Sequence, residues 1–215
     1  RFRNVTGVQT CALPIFPGCS KYKPSPGENK EYDLYENGQV VGKAIMVSWI
    51  NPNNSSKLIS QAMEKPLLAM KTDMKSEIGQ DLIINSGFRS YEQQACMYEI
   101  YLKCMKKWEQ NGSPPQSKPS VVGNPNGSGK NSHMNGKAVD FATGGVQPND
   151  LVGIKDKKQV IELLKDKKTW KNSWNETWKW LVENSEKYGF FWTGLSIDEP
   201  WHFEFHEDKV QDRKS

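Results

Sequence analysis

The chain has 215 residues, 29 basic against 25 acidic side chains and a formal net charge of +4, a length that suits one large or two small domains and can bury a real core. Apolar residues make up only 36%, but eight Trp, eight Phe and seven Tyr supply large buried area per residue, so disorder throughout is excluded. Lys and Arg are interleaved with Asp and Glu and form no basic block, which argues against nucleic acid as a partner, and no run approaches the ~18 apolar residues that a membrane helix needs.

The chain opens on Arg1 without an initiator Met, which reads as a fragment, a processed form or a missing start, and a signal peptide could have been lost there. The stretch RNVTGVQTCALPI has no amphipathic period and resembles translated sequencing-adapter runs, so about the first 16 residues are set apart from the fold. Residues 17–40 are rich in Pro, Gly, Lys and Asn and read as an extended lead-in. The domain proper is then expected over 41–215, beginning with KAIMVSWI (43–50), a run of strand length.

Ser55 and Ser56 are candidate caps of a short helix. Pro66 suits the first turn of another, whose Leu67, Met70, Met74 and Ile78 recur at helical spacing until Gly79. DLIINSG (81–87) reads as a buried strand running into a glycine turn. Ser90 and Gln93 then form the S-x-x-Q capping box of a long helix with Tyr98, Tyr101, Leu102, Met105 and Trp108 on one face. From Asn111 to Asn131 the composition turns to Gly, Pro, Ser and Asn, a loop long enough to be functional or mobile. GKAVDFA (136–142) alternates as a half-buried strand, with Ala138 and Asp140 on one face and Val139 and Phe141 on the other. Trp174, Trp178, Leu181 and Ser185 mark a helix ending at Gly189, and strands at 190–192 and in WHFEF (201–205) close the chain. The order predicts one α+β domain, helices early and an antiparallel sheet gathered late.

The four cysteines are Cys11, Cys19, Cys96 and Cys104, with no CxxC pair. Cys96 and Cys104 fall in one predicted helix about 12 Å apart along its axis, beyond disulfide reach. These two read as buried small hydrophobes, and the redox compartment stays open.

The three histidines are His133, His202 and His206, so a histidine-built metal site must use most of them. His133 stands seven residues before Asp140, and Gly136 can supply the turn that brings both inward. In EPWHFEF, Trp201, Phe203 and Phe205 face the core and His202 and Glu204 the other side, while Pro200 interrupts the ladder and frees Glu199 to swing toward the same cleft. His202 and His206 share i,i+4 spacing, but the alternation says strand and the HExxH helix is absent, so His206 is read as a bystander. Two imidazoles and one carboxylate make a three-ligand site open to water, which suits zinc better than calcium or magnesium. A free carboxylate nearby, Glu199, would take a proton from the zinc-activated water and hand it to the leaving amine.

The set SGFRSYEQQ, SHMNGKAVD and EPWHFEF resembles the D-alanyl-D-alanine metallopeptidases of the vancomycin-resistance carboxypeptidase type, whose wider superfamily includes lysostaphin, L-alanyl-D-glutamate endolysins and the hedgehog domain. The family pattern S-x-H-x-x-G-x-A-x-D followed by E-x-x-H is met by Ser132, His133, Gly136, Ala138, Asp140, Glu199 and His202. The resemblance covers residues 55 to 206. It implies a small antiparallel sheet holding Zn2+ on one face, with helices on the other. It makes His133, Asp140 and His202 the zinc ligands and Glu199 the catalytic base. Arg89 becomes a catalytic and substrate-binding residue suited to a carboxylate or an oxyanion, and Gln94 and Ser132 substrate-binding residues of the same cleft.

The resemblance also implies a D-alanyl-D-alanine carboxypeptidase acting on peptidoglycan stem peptides outside the membrane, in the cell wall or periplasm. An endopeptidase lysin cutting L-Ala-D-Glu or a crossbridge is the near rival. A hedgehog-like module that holds zinc without catalysis is the distant one, opposed by the intact Glu199 and Arg89. The loop between Arg89 and His133 is longer than usual for the family, and Glu204 stands where a basic residue often follows WHF. Both departures bear on substrate choice.

Overall fold

A computed structural model describes residues 17–24, 29–113, 121–127, 131–154 and 156–211. Strands come first: β1 (Lys30–Glu36), β2 (Gln39–Ile50) and β3 (Ser56–Ser60) form an antiparallel sheet in that order. Asn37 and Gly38, both at positive φ (52° and 75°), close the first hairpin, the Asn-Gly turn whose twist matches that of paired strands. β1 lies within the stretch read as lead-in and pairs along its length with β2. Ser55 and Ser56 do not cap a helix. The segment they open pairs with β2 from Ile50↔Ser56 to Met46↔Ser60, because a strand buries both of its apolar neighbours at once. Ile59 joins Val47 and Trp49 in the main core, and Leu58 joins Met46 and Phe88 in a smaller cluster on the opposite face.

α1 (Gln61–Ile78) follows β3 without a loop, so Pro66 sits inside the helix and not at its start. Met63, Leu67, Met70 and Met74 form its buried stripe, and Gly79 ends it in the left-handed conformation at φ 69°. The second sheet has the order β4-β5-β7-β6, all antiparallel, from β4 (Ile84–Ser86), β5 (Ala138–Phe141), β6 (Phe190–Trp192) and β7 (His202–Phe205). Val139, Phe141, Phe190, Phe203 and Phe205 pack from its inner face into the main core, with Trp178 and Leu181 of α4 (Glu176–Asn184) and Val160 and Leu164 of α3 (Lys157–Leu164). The expected α+β architecture, a small antiparallel sheet with helices on one face, is present. The expected order, helices early and sheet late, is not, because residues 30–60 build a sheet of their own.

α2 (Tyr91–Gln110) begins at Ser90, whose side chain accepts the Gln93 N–H at 3.2 Å. The reciprocal half of the capping box is missing, since Gln93 Oε1 is buried without a partner. Of the predicted apolar face, Tyr98, Tyr101, Met105 and Trp108 are only half-buried and Leu102 is exposed. A disulfide fixes this peripheral helix instead. Cys19, in a 3-10 turn over Pro17–Tyr22, is bonded to Cys96. That corrects the reading of the cysteines as unpaired hydrophobes: the turn lies beside α2, a proximity across a sequence separation of 77 that no local pattern encodes. Cys104 is also disulfide-bonded, and Cys11 lies outside the described residues, as do 114–120 and 128–130 of the long loop. No helix among the described residues is long and apolar enough to cross a membrane.

Candidate active site

The outer face of the second sheet carries the polar residues that its inner face excludes. Asp140 on β5 and His202 on β7 are direct cross-strand partners, so the sheet register brings the two side chains together, with His202 Nδ1 3.0 Å from Asp140 Oδ1. His133 arrives from the turn before β5, where Gly136 adopts φ 71° and the Lys137 and Ala138 N–H groups both bond to the Ser132 carbonyl. That turn is held from two sides: Arg89 N–H donates to the His133 carbonyl at 3.2 Å and Tyr35 N–H of β1 to the Met134 carbonyl at 3.1 Å. His133 Nε2 then lies 3.2 Å from Asp140 Oδ1.

The rear of each imidazole is engaged as well. His133 Nδ1 lies 2.8 Å from the Gly87 carbonyl, which can only accept, so Nδ1 carries the proton and Nε2 offers its lone pair to the cluster. His202 Nε2 lies 3.2 Å from Ser132 Oγ, leaving Nδ1 toward Asp140. Glu204, two residues along the same strand face, approaches His202 Nε2 to 4.0 Å. One ligand atom from each of His133, Asp140 and His202 lies within 4.8 Å of the other two, and all three residues are buried. Two imidazoles and a carboxylate, with the outer nitrogens fixed by a carbonyl and a hydroxyl, fit a zinc ion with protein ligands on three sides.

The electrostatics follow from packing these groups together. Burial would raise the Asp140 carboxyl, but His133, His202 and Arg89 outweigh it and hold the group well below the usual carboxylate range. Burial lowers His133, against a partial pull upward from Asp140. Burial would lower His202 too, yet the hydrogen bond and charge of Asp140, with Glu199 and Glu204, raise it. Glu199 is raised, first by burial and then by the charge of Asp140. Its Oε2 lies 3.7 Å from His202 Nδ1, with about a third of its side chain exposed.

Arg89 follows β4 by three residues, and its guanidinium reaches Ser86 Oγ (2.9 and 3.2 Å), Asp140 Oδ2 (3.4 Å) and Gln94 Oε1 (3.4 Å). Gln94 is 3% exposed and donates its amide to the Gly123 carbonyl at 2.8 Å. Ser132 is 4% exposed with its hydroxyl on His202. Arg89, Gln94, Ser132, His133, Asp140, Glu199 and His202 thus converge, while His206 stands apart with its ring against Phe191. Sequence reasoning missed Ser86 and Gly87. The S-x-x-R spacing across the strand end was a usable signal for Ser86, and nothing local signalled the Gly87 carbonyl. A Cβ at Gly87 would lie 2.1 Å from the Leu58 carbonyl oxygen, so only glycine lets the two sheets meet behind His133.

The family model of VanY, D-alanyl-D-alanine carboxypeptidase, matches residues 56–208. No curated protein matches the chain. Among solved structures, the chain is similar to a mutant of the vancomycin-resistance D,D-pentapeptidase VanY from a VanB-type resistance cassette in complex with Zn(II), at 20% identity and TM-score 0.46 over 81% of this chain and 86% of that one. It is also similar to VanYB in complex with D-alanine-D-alanine, at 22% identity and TM-score 0.44 over 85% and 81%. For DacB from Streptococcus pneumoniae the values are 16% and 0.35 over 87% and 86%.

Proposed function

This chain belongs to the D-alanyl-D-alanine carboxypeptidase family, and from that premise we propose that it removes the terminal D-Ala of peptidoglycan stem peptides by zinc-dependent hydrolysis. The observation that carries the reading is the buried cluster of His133, Asp140 and His202 with a raised carboxylic acid, Glu199, at its open side. His133 through Nε2, His202 through Nδ1 and Asp140 through a carboxylate oxygen would hold the metal. Bound there, zinc supplies a Lewis acid for the scissile carbonyl and acidifies water.

Glu199 is the group that moves the proton. Its carboxylate accepts one from the attacking water as the new C–O bond forms, and returns it to the departing D-Ala nitrogen as the C–N bond breaks. A raised pKa suits both halves of that task, because a stronger base takes the proton more readily and still releases it to an amine. Arg89 is anchored by Ser86, Asp140 and Gln94, so its planar fork is oriented before substrate arrives, which suits it to a substrate carboxylate or the developing oxyanion. Gln94 and Ser132 have their polar atoms committed inside the protein. Gln94 steadies Arg89 against the 121–127 segment, and Ser132 fixes the His202 ring. The Cys19–Cys96 disulfide suits an oxidising compartment outside the membrane, where stem peptides are found.

Digestion of purified muropeptides ending in D-Ala-D-Ala, read by mass spectrometry with and without a zinc chelator, tests the reading. The expected result is loss of one alanine, abolished by the chelator and restored by zinc. Cleavage inside the stem or crossbridge would make the protein an endopeptidase, and zinc binding without cleavage would make it a binding module.

A further inference from the structure

The turn that carries Glu199 rests on a glycine that lies outside every motif of the site. We propose that Gly194 is the positioning residue of Glu199, an inference that rests on the reading of Glu199 as the general base. Gly194 opens the 3-10 turn Gly194–Ile197, and its carbonyl accepts the Glu199 N–H at 2.8 Å. Its backbone does not call for glycine, since its φ lies outside the left-handed region that Gly136 and Gly189 occupy. Space calls for it. A Cβ on Gly194 would stand 1.7 Å from the Glu199 carbonyl oxygen and 2.8 Å from its carbonyl carbon. Both are backbone atoms, so no change of rotamer relieves the overlap.

The carbonyl side of the same residue is also fixed. The Glu199 carbonyl accepts the His202 N–H at 3.0 Å, and Asp198 adopts the left-handed conformation at φ 56° to bring the chain back over Gly194. The base therefore stands on a peptide clamped between Gly194 and the first residue of β7. A methyl group at 194 must displace that peptide by about 1 Å or more, a misplacement that can cost on the order of 100-fold in rate. The proposed ligands have anchors of their own, His202 in its pairing with Asp140 across the sheet and His133 in its bond to Gly87.

The test compares G194A, E199Q and the double variant of the zinc-loaded protein, measuring kcat and KM on a D-Ala-D-Ala stem peptide, zinc per chain and Tm. The expected G194A protein is folded and keeps its zinc. Its KM stays within about 3-fold and its kcat falls about 100-fold. The double variant is expected to be no slower than E199Q alone, because a residue that acts through Glu199 has nothing left to position. A G194A kcat within about 3-fold of the parent, a double variant slower by the full G194A factor, or loss of fold or zinc in G194A would each overturn the assignment. Parent turnover in E199Q would instead remove the base reading on which the assignment stands.

Discussion

The ligand cluster and the turn that carries Glu199 touch at His202 yet are built on opposite principles. His133, Asp140 and His202 are each less than 10% exposed. Two of them are cross-strand partners, and the third is bonded to strand-end backbone at Gly87. Glu199 stands in irregular chain, between a left-handed Asp198 and Pro200, with a third of its side chain exposed. Sheet register sets Asp140 opposite His202, because a ladder sets the distance between opposed residues, and the Gly87 carbonyl and the Ser132 hydroxyl hold the two imidazoles from behind. A base has to reach two different atoms in turn, so a carboxylate on a short, sterically seated turn serves it better than one locked in a ladder.

Breaking the first region should have the larger effect. His202→Ala removes a proposed ligand and the Nδ1–Asp140 contact together, so zinc occupancy and turnover should both collapse, activity by more than about 1000-fold, as atomic absorption and a D-Ala release assay would show. Breaking the second should separate the two readouts. Glu199→Gln keeps the shape and loses the proton acceptor, and turnover should fall about 100-fold or more with zinc content unchanged. Loss of zinc in Glu199→Gln would erase the distinction between the regions.

The pH profile sharpens the same contrast. A base works only when ionised, and burial and the charge of Asp140 raise Glu199. The acid limb of kcat/KM should therefore lie above the ~4.3 of a free glutamic acid, with activity lost as pH falls through it. The residual activity of Glu199→Gln should lack that limb. Arg89→Ala should lower kcat/KM by about 10- to 100-fold with zinc retained, since the guanidinium bonds Asp140 Oδ2 and is not among the three proposed metal ligands. Zinc lost together with activity would give Arg89 to the first region. The smallest effect is expected from Ser132→Ala, which frees the rear of His202. Zinc affinity should weaken about 10-fold in a competition with a chelator, with KM little changed.

Much of the site was legible because its chemistry lies in short range. Gly136 between His133 and Asp140, the alternation of AVDF and the alternation of HFEF are local properties, and each fixes which way a side chain points. Of the opening sheet only the KAIMVSWI run of β2 was legible, because Leu58 and Ile59 pack against opposite clusters and an apolar pair beside serines fits a helix start as well as a strand. The apolar residues of α2 misled for a related reason. Helical spacing says that they share a face, yet Leu102 is exposed and the others are only half-buried, and the helix is tied down by the Ser90 cap and by the Cys19–Cys96 disulfide.

By itself the sequence determined the family motifs, the residues able to hold a metal and the strands that carry them, since these depend on spacing within a few residues. Only the tertiary structure decided what stands behind those residues. The Gly87 carbonyl that sets the His133 proton, the Gln94 strut to Gly123, the pairing of Cys19 with Cys96 and the seat of Glu199 on Gly194 are such features. They join backbone and side-chain atoms across chain crossings, and the positions of carbonyl oxygens are set by how the chain folds back on itself, not by the residue types that bear them.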